Sequence, residues 1–308
     1  MPLTLLQLRN DFEAGVLGKQ DFVKDAYRTH RQLFEYPAYL AGTNLQSIEI
    51  LEQGVAVRFR DPAIRMWCTP GEERHTALTC LNFRDYERQE LGMMLRLAAV
   101  CAGNGCRTFM DIGANVGFYS LALAKAMPAA SIYAFEPIPS TFGELRRNLD
   151  LNELRRVEAF NLGLSDVLGE LTFYFDPTVS GATSSAPLGA GFTTHEVKCA
   201  VETLDVFAAR HGLNPDLIKC DVEGAELKVF LGARKTLERA KPVVFSEMPR
   251  KWSARFGYHP NDIIALFAQL GYRCFTIAGS ILRQLDVVTD DTIDTHIPKA
   301  QAAGLVAG

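Results

Sequence analysis

The chain has 308 residues, 48% of them apolar and 22% charged, enough for a sizeable core beneath an ordinary polar surface. A formal net charge of −4 and a pI of about 5.9 advertise no phosphate-neutralising surface, which argues against nucleic acid as the main partner. No apolar run approaches the ~18 residues that span a bilayer, and the opening Met-Pro-Leu-Thr-Leu-Leu-Gln-Leu-Arg-Asn-Asp turns polar too early for a signal peptide. Seven cysteines stand singly, without a Cys-x-x-Cys pair, and so read as reduced thiols rather than disulfides or structural zinc. The expectation is a cytoplasmic protein with no membrane partner.

Residues 1–84 read as an extension ahead of the main domain. Thr4 and Gln7 have capping-box spacing, with Leu3 and Leu8 at the staple positions. A second helix carries Phe22, Val23, Ala26, Tyr27, His30, Leu33 and Phe34 on one face. Such a helix pair suits a cap over a pocket or a homodimer contact. From Gln46 to Asn82 short alternating runs, Ile48–Leu51 and Val55–Phe59, suggest an antiparallel strand region. Asp85 to Cys101 returns to helical period.

The main domain, 85–297, is organised around Thr108 to Ser120, where an apolar run ends in Asp111, a glycine turn follows and a helix begins at Phe118. Beyond it strand and helix alternate. Strands are expected at Ile132–Phe135, Val157–Asn161, Leu217–Asp221, Val243–Glu247 and Tyr272–Ile277. Helices are expected from a Thr141/Glu144 cap, from Glu223, and over Asn261–Leu270. This order means an α/β fold with a doubly wound, mostly parallel sheet. An insertion at about 170–202 interrupts it, read as a hairpin with a mobile tip, Ser180 to Gly191, that is either a lid over the site or a disordered loop. The tail, 298–308, reads as frayed.

Ligands of open α/β sheets bind beyond the carboxyl ends of the strands. Four expected strands end at acids, Asp111, Glu136, Asp221 and Glu247, all projecting to one edge. A dinucleotide would need Gly-x-Gly-x-x-Gly, but Asn115 stands between Gly113 and Gly117, and Asp111 would face two phosphates. S-adenosylmethionine fits better: Asp111 suits its ammonium and the turn N–H groups its carboxylate. Glu136, at the end of the second strand, suits the two ribose hydroxyls.

The string Asp111 to Ser120, the blocks Ala134–Pro137 and Asn161–Ser165, and above all Ile218-Lys219-Cys220-Asp221-Val222-Glu223-Gly224-Ala225-Glu226 resemble the FkbM family of class I methyltransferases. The likeness runs from about Tyr86 to Ile277 and leaves the first ~80 residues outside. It implies a Rossmann-like S-adenosylmethionine-dependent O-methyltransferase acting on a hydroxyl of a sugar, polyketide or related metabolite. It also implies that Gly113, Asn115 and Gly117 line the methionine end of the cofactor, that Leu164 and Ser165 border the adenine, and that Asp221 sits beside the transferred methyl. The Asn-Pro-Pro-Tyr block of many amino-group methyltransferases is absent, which favours oxygen as acceptor.

A free alkoxide at neutral pH costs about 12 kcal/mol if the hydroxyl resembles water. The acceptor's proton therefore needs a base, or its oxygen a cation. Asp221 and Glu247 are the candidates, as general base or as ligands to Mg²⁺. The bland alternatives are Asp221 as a helix cap, Glu223 as a first-turn helix acid and Glu247 as a solvated strand end. His195 beside the tip, and Arg250 and Trp252 after Glu247, are substrate candidates; Tyr86 and Glu87 rank below them. An NAD(P)-dependent oxidoreductase and a non-catalytic binding or assembly protein are the rival readings.

Overall fold

A computed structural model describes residues 4–72, 75–188, 193–248, 250–289 and 303–307. The chain opens with α1 (Leu5–Glu13) and α2 (Lys19–His30), then a 3-10 turn and α3 (Tyr36–Leu40). Thr4 and Gln7 make the expected reciprocal cap; Leu3 lies outside the described residues. Phe12 and Phe22 stack at 4.8 Å to close the α1–α2 hairpin.

Strands β1 (Leu45–Leu51), β2 (Gly54–Phe59) and β3 (Arg65–Trp67) form an antiparallel meander. Thr76–Phe83 and Arg88–Gly103 are the helices α4 and α5. The α4 segment falls where strands were expected, because Ala77, Cys80 and Leu81, at helical spacing, pack into the core rather than pairing. The edge of β3 is satisfied by helix side chains: Arg65 N–H donates to Asn152 Oδ1 at 2.8 Å and Trp67 N–H to Asn148 Oδ1 at 2.8 Å. Leu45, Val57, Phe59 and Met66 share one apolar core with Phe109, Phe118 and Ile132. Each fully buried side chain of this size contributes ~1.5–3 kcal/mol, so residues 45–83 are integral to the main core, not an appendage to it.

The main domain follows with β4 (Thr108–Ile112), α6 (Phe118–Ala126), β5 (Ser131–Phe135), α7 (Pro139–Leu151) and β6 (Val157–Phe160). Next come β7 (Gly163–Leu164), β8 (Gly169–Asp176), β9 (Val179–Ser184) and β10 (His195–Glu202). Then come α8 (Leu204–His211), β11 (Leu217–Cys220), α9 (Glu226–Leu231), α10 (Arg234–Ala240) and β12 (Val243–Glu247). The chain closes with α11 (Arg250–Ser253), α12 (Pro260–Gln269), β13 (Arg273–Ala278), β14 (Ile281–Gln284) and β15 (Ala303–Ala307). The large sheet has the order β14-β13-β15-β12-β11-β4-β5-β6, in which β12, β11, β4, β5 and β6 run parallel. This is the expected doubly wound α/β architecture, and its order reverses at β4. A crevice therefore opens beyond the carboxyl ends of β4 and β11, where open α/β sheets bind ligands.

Three local expectations are corrected. Helix α7 is not capped by Thr141; it starts at Pro139 with Ile138 as its N-cap. The insertion does not carry a long loose tip among the described residues: β9 pairs with β8 as far as Ser184, and residues 189–191 of the tip lie outside the described residues. The described part of the tail does not fray. Ala303–Ala307 runs antiparallel between β12 and β13 and completes the sheet; 298–302 and 308 lie outside the described residues.

Candidate active site

The turn after β4 is shaped by glycine for a specific reason. Gly113 has φ +74°, and a Cβ there would lie 1.8 Å from the Asp221 carbonyl oxygen, so the loops after β4 and β11 touch only because position 113 has no side chain. Gly113 and Ala114 N–H both donate to the Phe135 carbonyl, at 3.1 and 2.9 Å. Asn115, itself at φ 50°, donates its backbone N–H to Glu136 Oε2 at 3.0 Å. The other oxygen of Glu136 accepts from Ile138 N–H at 2.9 Å. Asn161, after β6, pins this loop by donating to the Glu136 and Pro137 carbonyls. Glu136 is 5% exposed. Burial pushes its carboxyl up to about 7 although both backbone donors and Lys219 oppose the rise.

A cavity of about 710 Å³, open mouth included, runs along this edge. Its lining follows strand order, from Leu162–Ser165 beyond β6, through Glu136, to Gly113 and Asn115, and then to Asp221 and Glu223. The hairpin insertion supplies Phe173, Thr183 and Ser185 to the wall. Ser184 donates its hydroxyl to the Glu223 carbonyl at 3.1 Å, tying the insertion to the loop after β11. Gly113, Asn115, Glu136, Leu164, Ser165 and Asp221 are thus brought together. Asn115 Oδ1 is buried there with no hydrogen-bond partner. Gly117, at φ +95°, turns the chain into α6 against Leu145.

Asp111 does not line the cavity. It is fully buried beneath the turn, accepts the Ser120 hydroxyl at 2.7 Å and lies 3.5 Å from the Lys219 ammonium. The expected contact with a cofactor ammonium gives way to an internal ion pair. Lys219 is a residue of this site that sequence reasoning passed over. Its ammonium donates to the Gly113 carbonyl at 3.0 Å and lies 3.4 Å from Asp221, so one cation anchors the β4 and β11 ends together. Burial by itself would lower its pKa, but Asp221, Asp111 and Glu87 outweigh that and hold it above the ordinary lysine value. Part of the signal was present: Lys219 and Asp221 are two apart in the expected strand Leu217–Asp221 and so would share a face, while the register that sets Lys219 beside Asp111 came from the structure.

On the far side of Lys219 the carboxylates crowd. Asp221, Glu223 and Glu247 each place an oxygen within 4.8 Å of the others. Burial first, and the Asp221 charge second, push the Glu223 and Glu247 carboxyls well above the ordinary range. Glu223 is not a helix acid and Asp221 is not a helix cap, because α9 starts three residues later than expected, at Glu226. Glu223 instead occupies a left-handed turn at φ 53°, followed by Gly224 at φ +100°, where a Cβ would lie 2.6 Å from the Trp252 backbone. Fully buried Glu226 holds this turn by accepting Val222 and Gly224 N–H at 3.0 and 3.1 Å, and burial pushes its carboxyl up to about 7.

The lower-ranked Glu87 also reaches this neighbourhood: it accepts the Tyr119 hydroxyl at 2.8 Å, and burial and then the Asp221 charge raise its carboxyl. The substrate candidates do not converge on the cavity. His195 is exposed at the start of β10 with its ring 5.7 Å from Phe175, and Arg250 is exposed at the start of α11. Trp252 packs its backbone on Gly224, and Arg255 lies 4.0 Å over its indole face, which removes that face as a stacking surface.

No helix among the described residues is long and apolar enough to cross a membrane. All seven cysteines are free thiols.

Comparison with known proteins bears on this site. The family described as the methyltransferase FkbM domain matches residues 111–274, more than half of the chain. The methyltransferase sdnD of Sordaria araneosa is 33% identical over 152 residues, covering 40% of this chain and 59% of the relative. The 31-O-demethyl-FK506 methyltransferase FkbM of Streptomyces tacrolimicus is 30% identical over 151 residues, covering 40% and 57%. The chain thus spans under two thirds of the length of these relatives. A solved FkbM methyltransferase from Methylobacillus flagellatus covers 77% of this chain and 56% of its own at 16% identity and a TM-score of 0.45, too distant to transfer individual positions. With the matched segment running from Asp111 at the β4 end to Cys274 in β13 and enclosing every loop of the cavity, the chain belongs to the FkbM methyltransferase family.

Proposed function

We propose that this protein is an S-adenosylmethionine-dependent O-methyltransferase whose acceptor is a hydroxyl of a small molecule. The observation that carries the reading is the placement of Glu136. Its carboxylate lines the cavity, is oriented by two backbone donors, and retains lone pairs for a pair of vicinal ribose hydroxyls. Asn115 Oδ1, buried and unpartnered on the same wall, is an acceptor suited to the cofactor's α-ammonium. Leu162, Leu164 and Phe173 give an apolar slot for the adenine. The bound cofactor supplies an electrophilic methyl on a sulfonium.

This chain's part is orientation and proton handling. The Gly113–Asn115 turn and Glu136 fix the cofactor, and fixing donor and acceptor in line is worth ~7–11 kcal/mol. Asp221 and Glu247 would be the groups placed to take the acceptor hydroxyl's proton on a carboxylate oxygen as that hydroxyl received the methyl. Oxygen as the acceptor atom is supported by the Streptomyces tacrolimicus relative, which is named for methylating a 31-O-demethyl compound. A dinucleotide reading is disfavoured, because two phosphates would lie against Asp221 and Glu223 on the same wall.

Isothermal calorimetry with S-adenosylmethionine and, separately, with NAD(H) tests the cofactor. Saturable binding of the first and none of the second is expected. Tight NAD(H) binding without S-adenosylmethionine binding overturns the reading. Turnover against a panel of hydroxyl acceptors, read as loss of the cofactor methyl, tests the acceptor atom.

A further inference from the structure

We infer that Asp221, Glu223 and Glu247 form a site for one hard divalent cation, Mg²⁺ or Mn²⁺, beside the stretch of cavity wall that Asp221 and Glu223 supply. The inference rests on the hydroxyl-acceptor reading for its catalytic purpose but not for its existence. Three carboxylates, from the loop after β11 and the last residue of β12, bring one oxygen each within 4.8 Å of the others. Oxygens on opposite sides of a Mg²⁺ ion lie about 4 Å apart, twice the ~2.0–2.1 Å bond, so this spacing needs only a small closure.

The second observation is how these acids are left unsatisfied. Glu247 is 8% exposed and its Oε1 has no hydrogen-bond partner. Asp221 Oδ1 and Glu223 Oε2 are likewise buried and unpartnered. Buried polar atoms are normally paired: Glu136 and Glu226 each accept two backbone N–H groups, and Asp111 Oδ1, which has no hydrogen-bond donor, has the Lys219 ammonium 3.5 Å away. A nearby cation does not fill the gap. Lys219 lies 3.4 Å from Asp221 Oδ2, but it is shared with Asp111 and the Gly113 carbonyl.

Three acids facing one another oppose each other's ionisation, and a divalent ion would hold two of them ionised where one organic ammonium would hold one. The donor set holds only oxygens, without His or Cys, which selects a hard ion over Zn²⁺. With an acceptor hydroxyl as a further oxygen ligand, such an ion lowers the hydroxyl's pKa and reduces the ~12 kcal/mol cost of removing its proton. The proton then passes to a carboxylate oxygen that the ion does not use.

Titration of chelator-treated full-length protein with Mn²⁺, read by loss of the free-ion electron paramagnetic resonance signal, tests the site without turnover. One saturable site is expected below about 1 mM, displaced by Mg²⁺. Glu223→Gln and Glu247→Gln should each weaken it at least tenfold, a ligand loss being no milder than the ~10–100-fold seen for outer-shell changes. Either substitution keeps the side chain's size and removes an acid from a crowded group, so both variants should fold, which thermal melts check. Absence of saturable Mn²⁺ binding, or binding that both variants retain, overturns the inference. S-adenosylmethionine calorimetry on the same samples separates the two readings: if the cofactor binds and Mn²⁺ does not, only the cation site fails. If Mn²⁺ binds and the cofactor does not, the site stands and the proposed function fails.

Discussion

Glu136 and Glu247 are both acids at strand ends of one sheet, both nearly buried, and the protein treats them in opposite ways. Glu136 receives two backbone donors, from Asn115 and Ile138, and sits in a wall built by adjacent loops. Glu247 has an oxygen with no donor and two further acids for neighbours. The first region is finished: its donors are in place before any ligand arrives, so binding there costs little reorganisation. The second is unfinished, and a group so arranged is satisfied by what it binds. Lys219 joins the two, reaching Asp111 and the Gly113 carbonyl on one side and Asp221 on the other.

The largest expected effect comes from cutting that joint. Lys219→Met removes the ammonium beside fully buried Asp111, and breaking a buried pair in this way should cost about 3–5 kcal/mol of stability in urea unfolding. A change of under 1 kcal/mol would mean that the two regions are held together by something else.

Next is Glu136→Ala, which should weaken S-adenosylmethionine about a hundredfold, ~3 kcal/mol for two hydrogen bonds to a charged group, with Mn²⁺ binding unchanged. The same residue gives a pH signature with a fixed sign. Its folded carboxyl is raised from 4.5 to about 7, so its contribution to stability is full below about pH 4.5 and lost as pH rises through about 7. The total is about 3 kcal/mol, taken as the difference between wild type and Glu136→Gln melts. Ribose hydroxyls favour the charged form, so cofactor affinity should rise over the same range. Affinity that falls between pH 6 and 8 would contradict the ribose role.

Glu247→Gln should do the reverse of a damaging core substitution. In chelator it replaces a carboxyl whose ionisation is opposed by burial and by Asp221 with a neutral amide and should stabilise the protein by about 1–2 kcal/mol, read as a higher melting temperature. Destabilisation there would show that Glu247 is already satisfied and that the contrast with Glu136 is false. The smallest effect is at Ser184→Ala, which removes the bond to the Glu223 carbonyl, worth about 1 kcal/mol. It should raise the acceptor KM while cofactor affinity stays within about twofold, and an equal effect on both would place the hairpin over the cofactor instead.

What could be read from residues alone was local. Alternating strand and helix periods gave the doubly wound sheet, and an acid at each strand end gave Asp111, Glu136, Asp221 and Glu247 a common edge, because a strand terminus is written in consecutive residues. Family resemblance added Leu164 and Ser165, which do line the cavity. Local signals also misled where a competing contact won. Thr141 and Glu144 have capping spacing, but Pro139 starts α7 earlier. Glu223 has the look of a first-turn acid, but Gly224 pressed against the Trp252 backbone holds a turn open until Glu226.

The sequence by itself determined the architecture, the edge of the sheet that carries the chemistry and the family, since each is set by short-range pattern and spacing. Only the tertiary structure decided what each acid does. Asp111 became an internal partner of Lys219 because parallel pairing of β4 and β11 sets them side by side. Glu136 was finished by an N–H from a loop 21 residues away, and Asp221, Glu223 and Glu247 were left facing one another by the meeting of two loops. A carboxylate's charge state and use depend on the donors and charges around it, and those come from parts of the chain that no local window contains.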